Sequence, residues 1–172
     1  MQKVNRSALL FFVVVAAVAC DQATKALAQR TLSPQPLSYL NDLFRLQFAQ
    51  NNGAFLSLGS LLSQEARFWV FTILVSIFLL GLLIYALRIA AQASLLVLVA
   101  LALILGGGVS NLLDRILHNG LVIDFMNIGL GPLRTGIFNV ADMAITSGLV
   151  LLIVQELRTR THHDEHLTGS PG

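Results

Sequence analysis

Two aspartates, Asp124 and Asp142, stand at opposite ends of a short connection, in the stretches Leu121-Val122-Ile123-Asp124-Phe125 and Phe138-Asn139-Val140-Ala141-Asp142. Asp142 leads directly into the apolar run from Met143 to Val154. A carboxylate at the edge of an apolar span is costly and is usually functional. Two carboxyls that converge cannot both ionise cheaply, so they share a proton and together can activate water. The chemistry this pair implies is peptide hydrolysis at a membrane boundary by an aspartate dyad. Gly129, Gly131, Pro132 and Gly136 give the connection the freedom to fold back and carry Asp124 towards Asp142.

Other polar side chains recur at helical spacing near the ends of apolar runs. Asn139 and Asp142 are three apart and share a face. Asn111, Asp114 and Arg115 follow at i, i+3 and i+4, a stripe expected to brace the site through hydrogen bonds and not to react. Asp21 and Lys25 are four apart, with the acid N-terminal to the base, and read as an ion pair at the end of the first span that supports a nearby site. Cys20 is the single cysteine, which excludes an internal disulfide and any CxxC metal site. His162, His163 and His166 lack partners in the spans, so no metal site and no cofactor is expected.

The elements that must position these residues are membrane helices. Of the 172 residues, 55% are hydrophobic and 12% charged, about half the charged share of an average soluble domain. With no Lys/Arg cluster, nucleic acid is not an expected partner. Four runs are long enough to cross a bilayer, at residues 7–27, 68–87, 89–113 and 137–157. The very short link between the second and third makes them antiparallel neighbours. These runs form one domain over residues 1–160, with a disordered tail expected over 161–172.

An even number of spans puts both termini on one side. That side, with the 88–92 turn, carries Lys3, Arg6, Arg88, Arg158 and Arg160, against Lys25, Arg30, Arg45, Arg67, Arg115 and Arg134 on the other. This near balance does not orient the chain, although Lys3 and Arg6 ahead of the first span favour a cytoplasmic amino terminus. Lys3, Arg6 and Ala17-Val18-Ala19-Cys20 also permit a lipoprotein-type signal, but three further spans follow instead of a soluble domain.

Between the first two spans, Pro34 and Pro36 break helix. Leu43 to Phe48 alternates apolar and polar residues as a half-exposed strand does, and Asn51-Asn52-Gly53 reads as a tight turn. A small sheet at the membrane surface is expected here. Phe68, Trp69 and Phe71 mark one interface of the second span and Tyr85 the other. Gly106-Gly107-Gly108 permits close helix approach, or approach of backbone to a ligand.

Five patches, in order, resemble bacterial lipoprotein signal peptidase, also called signal peptidase II. They are Asp21-Gln22-Ala23-Thr24-Lys25, Asn51-Asn52-Gly53-Ala54-Phe55, Gly107-Gly108-Val109-Ser110-Asn111-Leu112-Leu113-Asp114-Arg115, Val122-Ile123-Asp124-Phe125 and Phe138-Asn139-Val140-Ala141-Asp142. The resemblance implies an all-α membrane protein, with four transmembrane helices and a small extracytoplasmic β-sheet at the membrane surface. It also implies both termini in the cytoplasm and an active site near the outer face of the bacterial cytoplasmic membrane. The implied activity is removal of signal peptides from prolipoproteins just before the diacylglyceryl-modified cysteine, without a cofactor. Asp124 and Asp142 take the catalytic positions, and Asp21, Lys25, Asn51, Gly53, Asn111, Arg115 and Asn139 the supporting ones. Implied partners are the lipidated prolipoprotein, membrane lipid and globomycin-type inhibitors. Departures fall at Ala54, which stands alone before Phe55, at Ile116–Gly120 and at Gly131–Gly136. Other readings of the same residues are a small tetraspan transporter subunit and a non-catalytic prolipoprotein-binding member of the family.

Overall fold

The computed structural model describes residues 5–51 and 63–168, apart from the side chains of residues 64, 67 and 161–168. Its elements, in chain order, are α1 (Arg6–Thr31), β1 (Leu37–Tyr39), β2 (Phe44–Asn51), α2 (Gln64–Ile89), α3 (Leu95–Leu117), β3 (Val122–Leu130), β4 (Leu133–Arg134) and α4 (Val140–Thr168). All four helices are long and apolar enough to cross a membrane.

The expected spans correspond to these helices, with boundaries moved by local chemistry. The third was expected from residue 89, but α3 begins at Leu95, because Ser94 caps it by accepting from the Val97 N–H at 3.3 Å. The intervening turn is held by Arg6, whose guanidinium donates to the carbonyls of Ala90, Ala91 and Ala93. The first span was expected to stop at 27, yet α1 runs to Thr31, which places Asp21 and Lys25 inside the helix and not at its end. The tail expected to be disordered from 161 is helical to Thr168. The Arg160–Glu156 pair, four apart on α4, favours that continuation.

The bundle is built around α3, which packs against α1, α2 and α4. Three consecutive glycines make this possible, since successive residues on a helix point about 100° apart. A Cβ at Gly106 would lie 2.7 Å from the Ala17 Cβ of α1. At Gly107 it would lie 2.4 Å from the Ala141 carbonyl oxygen of α4, and at Gly108 2.5 Å from a Leu79 methyl of α2. The glycines thus admit three different helices, and packing is their role here. Farther along the α3–α4 contact, a Cβ at Gly148 would meet the Ala100 carbonyl oxygen at 2.5 Å.

The strand expected at Leu43–Phe48 is β2, but it belongs to a larger sheet than one hairpin. The order is β1-β2-β3-β4, antiparallel throughout. The connection from Asp124, expected to be flexible, is strand β3, a β3–β4 turn at Gly131 (φ +55°), and a return along β3 in which Phe138 pairs with Met126. The physical reason is backbone hydrogen bonding. A segment leaving a membrane helix must satisfy its N–H and C=O groups, and β2 and the returning chain do that on both edges. The Asn51-Asn52-Gly53 turn and the Ala54 departure extend beyond the described residues.

Gly148→Ala is expected to lower the thermal stability of the detergent-solubilised protein by about 1–3 kcal/mol, because backbone must move. Gly81→Ala, with nothing within 4 Å of the new methyl, is expected to be neutral or slightly stabilising. Parallel melting curves of the two variants check both.

Candidate active site

The first turn of α4 explains why Asp142 is held where it is. Asn139 caps the helix by accepting from the Asp142 N–H at 2.9 Å, and the Asp142 Oδ2 accepts from the Asn139 N–H at 3.1 Å. This is a reciprocal capping box that uses Asn and Asp. The next free donor, the Ala141 N–H, is taken by Asp21 Oδ1 of α1 at 2.8 Å. Asp142 is therefore placed by its own helix start, and that start is docked on α1.

With its oxygen committed to the Asp142 N–H, the Asn139 side chain must present its amide nitrogen to the other side. It donates to Asp124 Oδ1 at 2.7 Å, to Asn111 Oδ1 at 3.1 Å and to the Ile123 carbonyl at 3.2 Å. Asn111 Oδ1 also accepts from Lys25 at 2.8 Å. Lysine has no acceptor, so the orientation of the Asn111 amide is settled, and its nitrogen donates to Asp142 Oδ1 at 2.9 Å. Both aspartates thus bond to Asn139, one through its side chain and one through its backbone. They come together as the sequence led us to expect.

Lys25 is fully buried and donates three bonds: to Asp21 Oδ2 at 2.6 Å, Asp114 Oδ2 at 2.9 Å and Asn111. Each carboxylate is completed by neutral donors. Asp21 also accepts from Ser110 Oγ at 2.7 Å, and Asp114 from Gln22 Nε2 at 2.8 Å and the Ile123 N–H at 3.0 Å. The last bond ties the start of β3 to α3 one residue before Asp124. Asp21 and Lys25 form the expected pair, but not at a helix end: it is the centre of a three-helix polar core. Asp114, read as part of a bracing stripe, pairs with Lys25. Ser110 and Gln22 were missed, although Ser110 lies four residues before Asp114, on the same face.

Arg115 donates to the Asn111 carbonyl at 3.1 Å and lies within electrostatic reach of Asp142, Asp114 and Asp124. Asn51, at the end of β2, donates to Asp124 Oδ2 at 3.0 Å. Gly53 lies outside the described residues. A pocket of about 300 Å³ opens against Asp124, lined also by Ala49, Gln50, Asn51 and Ile137. Asp124 is 2% exposed, and burial pushes its carboxyl up from 3.8 to about 6. The bonds from Asn51 and Asn139 oppose that rise, and the Asp142 charge adds to it.

Two variants test these electrostatics. Lys25→Met leaves Asp21 and Asp114 facing each other without a cation and is expected to cost about 3–5 kcal/mol. Adding Asp21→Asn should recover part of the loss, as read by melting temperature and membrane abundance. For Asp124 the raised folded-state value means that folding favours the protonated form. That contribution is complete below the unfolded value near 4 and is lost as pH rises through about 6. Asp124→Asn should therefore gain stability on the parent by something on the order of 3 kcal/mol between pH 4 and pH 7.5, measured by thermal unfolding at the two pH values.

Comparison with known proteins adds an independent line. The family model described as Signal peptidase (SPase) II matches residues 13–158. A lipoprotein signal peptidase of Geobacter sulfurreducens is 37% identical over 147 residues, covering 85% of this chain and 89% of the relative. One of Burkholderia vietnamiensis is 41% identical over 138 residues, covering 80% and 81%. Among solved structures, a bacterial membrane enzyme determined by the in meso method at 1.9 Å superposes with a TM-score of 0.70 at 27% identity, covering 87% of this chain and 93% of that one.

Proposed function

The chain belongs to the signal peptidase II family, and from that premise we propose that it is an aspartic endopeptidase in which Asp124 and Asp142 share one proton and activate the hydrolytic water. It is a multi-pass bacterial membrane protein with signal peptidase II function. The substrate is a prolipoprotein, cut immediately before its diacylglyceryl-modified cysteine.

The observation that carries this reading is the convergence of both carboxyls on Asn139 beside an open pocket. Burial favours the protonated form of Asp124, which makes it the acid that donates to the scissile carbonyl oxygen. Asp142, with Asn111 Nδ2 and the Asn139 N–H aimed at it, is the acceptor that takes a proton from water. Water attacks the carbonyl carbon, the tetrahedral intermediate collapses, and the leaving amine regains a proton from the pair.

Asn51 and the neighbouring β2 residues border the pocket and would position the peptide, while Arg115, Asn111 and Asn139 orient the pair. Asp21 and Lys25 act through the helix start they hold. The lipid chains of the substrate lie among the helices, where each buried CH₂ contributes about 0.8 kcal/mol. Both termini face the cytoplasm, which puts the site near the outer face of the cytoplasmic membrane. Globomycin-type cyclic peptides would compete for the pocket.

Asp124→Asn and Asp142→Asn are each expected to abolish cleavage of a purified diacylglyceryl-modified prolipoprotein, followed by gel shift, in protein that remains folded and inserted. Substantial turnover by both variants would remove the dyad from the mechanism. Cleavage of the unmodified precursor at the same rate would remove lipid recognition.

A further inference from the structure

The pocket beside Asp124 takes its walls from three segments. β2 supplies Ala49, Gln50 and Asn51, β3 supplies Asp124, and the chain returning along β3 supplies Ile137. The return is bonded to β3 at Thr135 and Phe138, and Ile137 lies between them.

About 10 Å along β3 from Asp124, one arginine ties all three segments together. Arg134 of β4 donates from Nε to Asn127 Oδ1 of β3 at 2.5 Å. From Nη1 it donates to the Asp42 carbonyl at 2.8 Å and to Asp42 Oδ2 at 3.3 Å. Asp42 belongs to the β1–β2 turn and is held to β2 by Arg45, which donates from Nε at 2.6 Å and from Nη2 at 2.5 Å. Asn127, its oxygen taken by the arginine, donates from its amide nitrogen to the Thr135 carbonyl of the return at 2.6 Å. Gly129 clears the path. It pairs with Arg134, and a Cβ there would lie 2.4 Å from the Arg134 Cγ.

We infer that Arg134 is a positioning residue, whose guanidinium, through Asp42 and Asn127, sets the spacing of the three pocket walls beside Asp124. It stands in the Gly131–Gly136 stretch, one of the departures from the family pattern.

Two costly features accompany this clasp. Leu40, Asn41 and Asp42 are three successive non-glycine residues in the left-handed region, with φ of 52°, 53° and 68°, where Cβ crowds the following carbonyl oxygen. The Arg134 side chain is 12% exposed, and its Nη2 is buried without a partner, which forfeits hydration. Strained backbone persists only where its surroundings over-determine it, and here the surroundings are Ser38, Arg45 and Arg134 gathered on Asp42. The bonds from Arg45 first, and then from Ser38, hold the Asp42 carboxyl well below the usual carboxylate range. The clasp therefore keeps its charge where Asp124 titrates.

The link to the site is the Asn51–Asp124 bond, which spans β2 and β3. That bond opposes the upward push of burial on Asp124. The charged groups that face Asp124 are Asp142, Lys25 and Arg115, all carried by helices. Walls that drift apart would loosen the Asn51 bond and leave those charges in place.

The spacing can be read without turnover, and only the effect on cleavage rests on the peptidase reading. In a full-length Cys20→Ser background, nitroxide labels at Gln50→Cys and Gly136→Cys, both exposed positions, report the separation of the two outer walls by electron paramagnetic resonance. Arg134→Ala is expected to broaden that distance distribution by about 5 Å, one strand separation. Gly129→Ala, which keeps the arginine but fills its path, should do the same, and Leu133→Ala in the same hairpin should not. In the unlabelled proteins, Arg134→Ala should lower kcat/KM for the lipidated precursor by up to about 10²-fold. It should also move the Asp124 limb of the pH–rate profile to higher pH, because losing the Asn51 bond raises that carboxyl. Arg134→Lys pairs with Asp42 but lacks the fork that also reaches Asn127. It should fall between parent and Arg134→Ala, and it carries the comparison if Arg134→Ala fails to insert. An unchanged distance distribution in the arginine variants overturns the inference. So does a broadened distribution with kcat/KM and the pH limb unmoved, which would leave the clasp a purely structural role. A parent that cuts no precursor would sink the peptidase reading instead, and the label distances would still decide the spacing.

Discussion

A single buried ammonium organises this protein. Lys25 takes its charge into the middle of the bundle, where an uncompensated cation would be prohibitive, and spends all three N–H groups on Asp21, Asp114 and Asn111. Those three residues connect it to everything that matters for the site. Asp21 holds the first turn of α4 through the Ala141 N–H, and Asp114 holds the start of β3 through the Ile123 N–H. Asn111, its amide orientation forced by the lysine, reaches Asp142. The two segments that carry the aspartates are thus pinned, through these residues, to one cation. Such a network specifies a unique arrangement because each member is satisfied in that arrangement and stranded in others.

The network requires close helices, and the close helices require glycine. Gly106, Gly107 and Gly108 let α1, α4 and α2 approach α3 on three sides. Any side chain at Gly107 would press on the Ala141 carbonyl, in the same turn whose N–H groups bond Asp21 and Asn139. In a membrane, where no hydrophobic gain separates helix from lipid, packing of this kind and interhelical hydrogen bonds supply the association. The polar core and the small-residue contacts are therefore two parts of one solution. The sheet is the third part: it carries Asp124 in from the side on β3, with Asn51 of β2 alongside it.

Much of this was legible from residue types and spacing. Asp124 and Asp142 stood out as costly carboxylates beside apolar runs, and Asn139, Asn111 and the Asp21–Lys25 pair showed themselves by helical spacing. What was misread shares a common cause. The pair at Asp21 and Lys25 looked like a helix end because charge normally marks one, yet α1 continues past it with its charges neutralised by α3. The segment after Asp124 looked like a flexible link because of its glycines. Its strand character lies in Val122, Ile123, Phe125 and Ile128, and it is realised only by pairing with β2, more than seventy residues earlier. Ser110 and Gln22 gave no signal of their own, since a lone small polar residue on a helix is usually solvated or bonded to its own backbone.

The sequence by itself determined the class of molecule, the number of spans and the residues able to do acid–base chemistry, because hydropathy and side-chain pKa are local properties that each residue carries with it. Tertiary structure alone decided which groups meet. It paired Lys25 of α1 with Asp114 of α3, turned the amides of Asn111 and Asn139 so that each carboxyl receives a donor, and brought Asn51 of β2 alongside Asp124. The physical reason is that a hydrogen bond or ion pair is a property of two groups at a distance. Where helices approach through glycine and strands pair from distant parts of the chain, that distance is written in no single stretch of sequence.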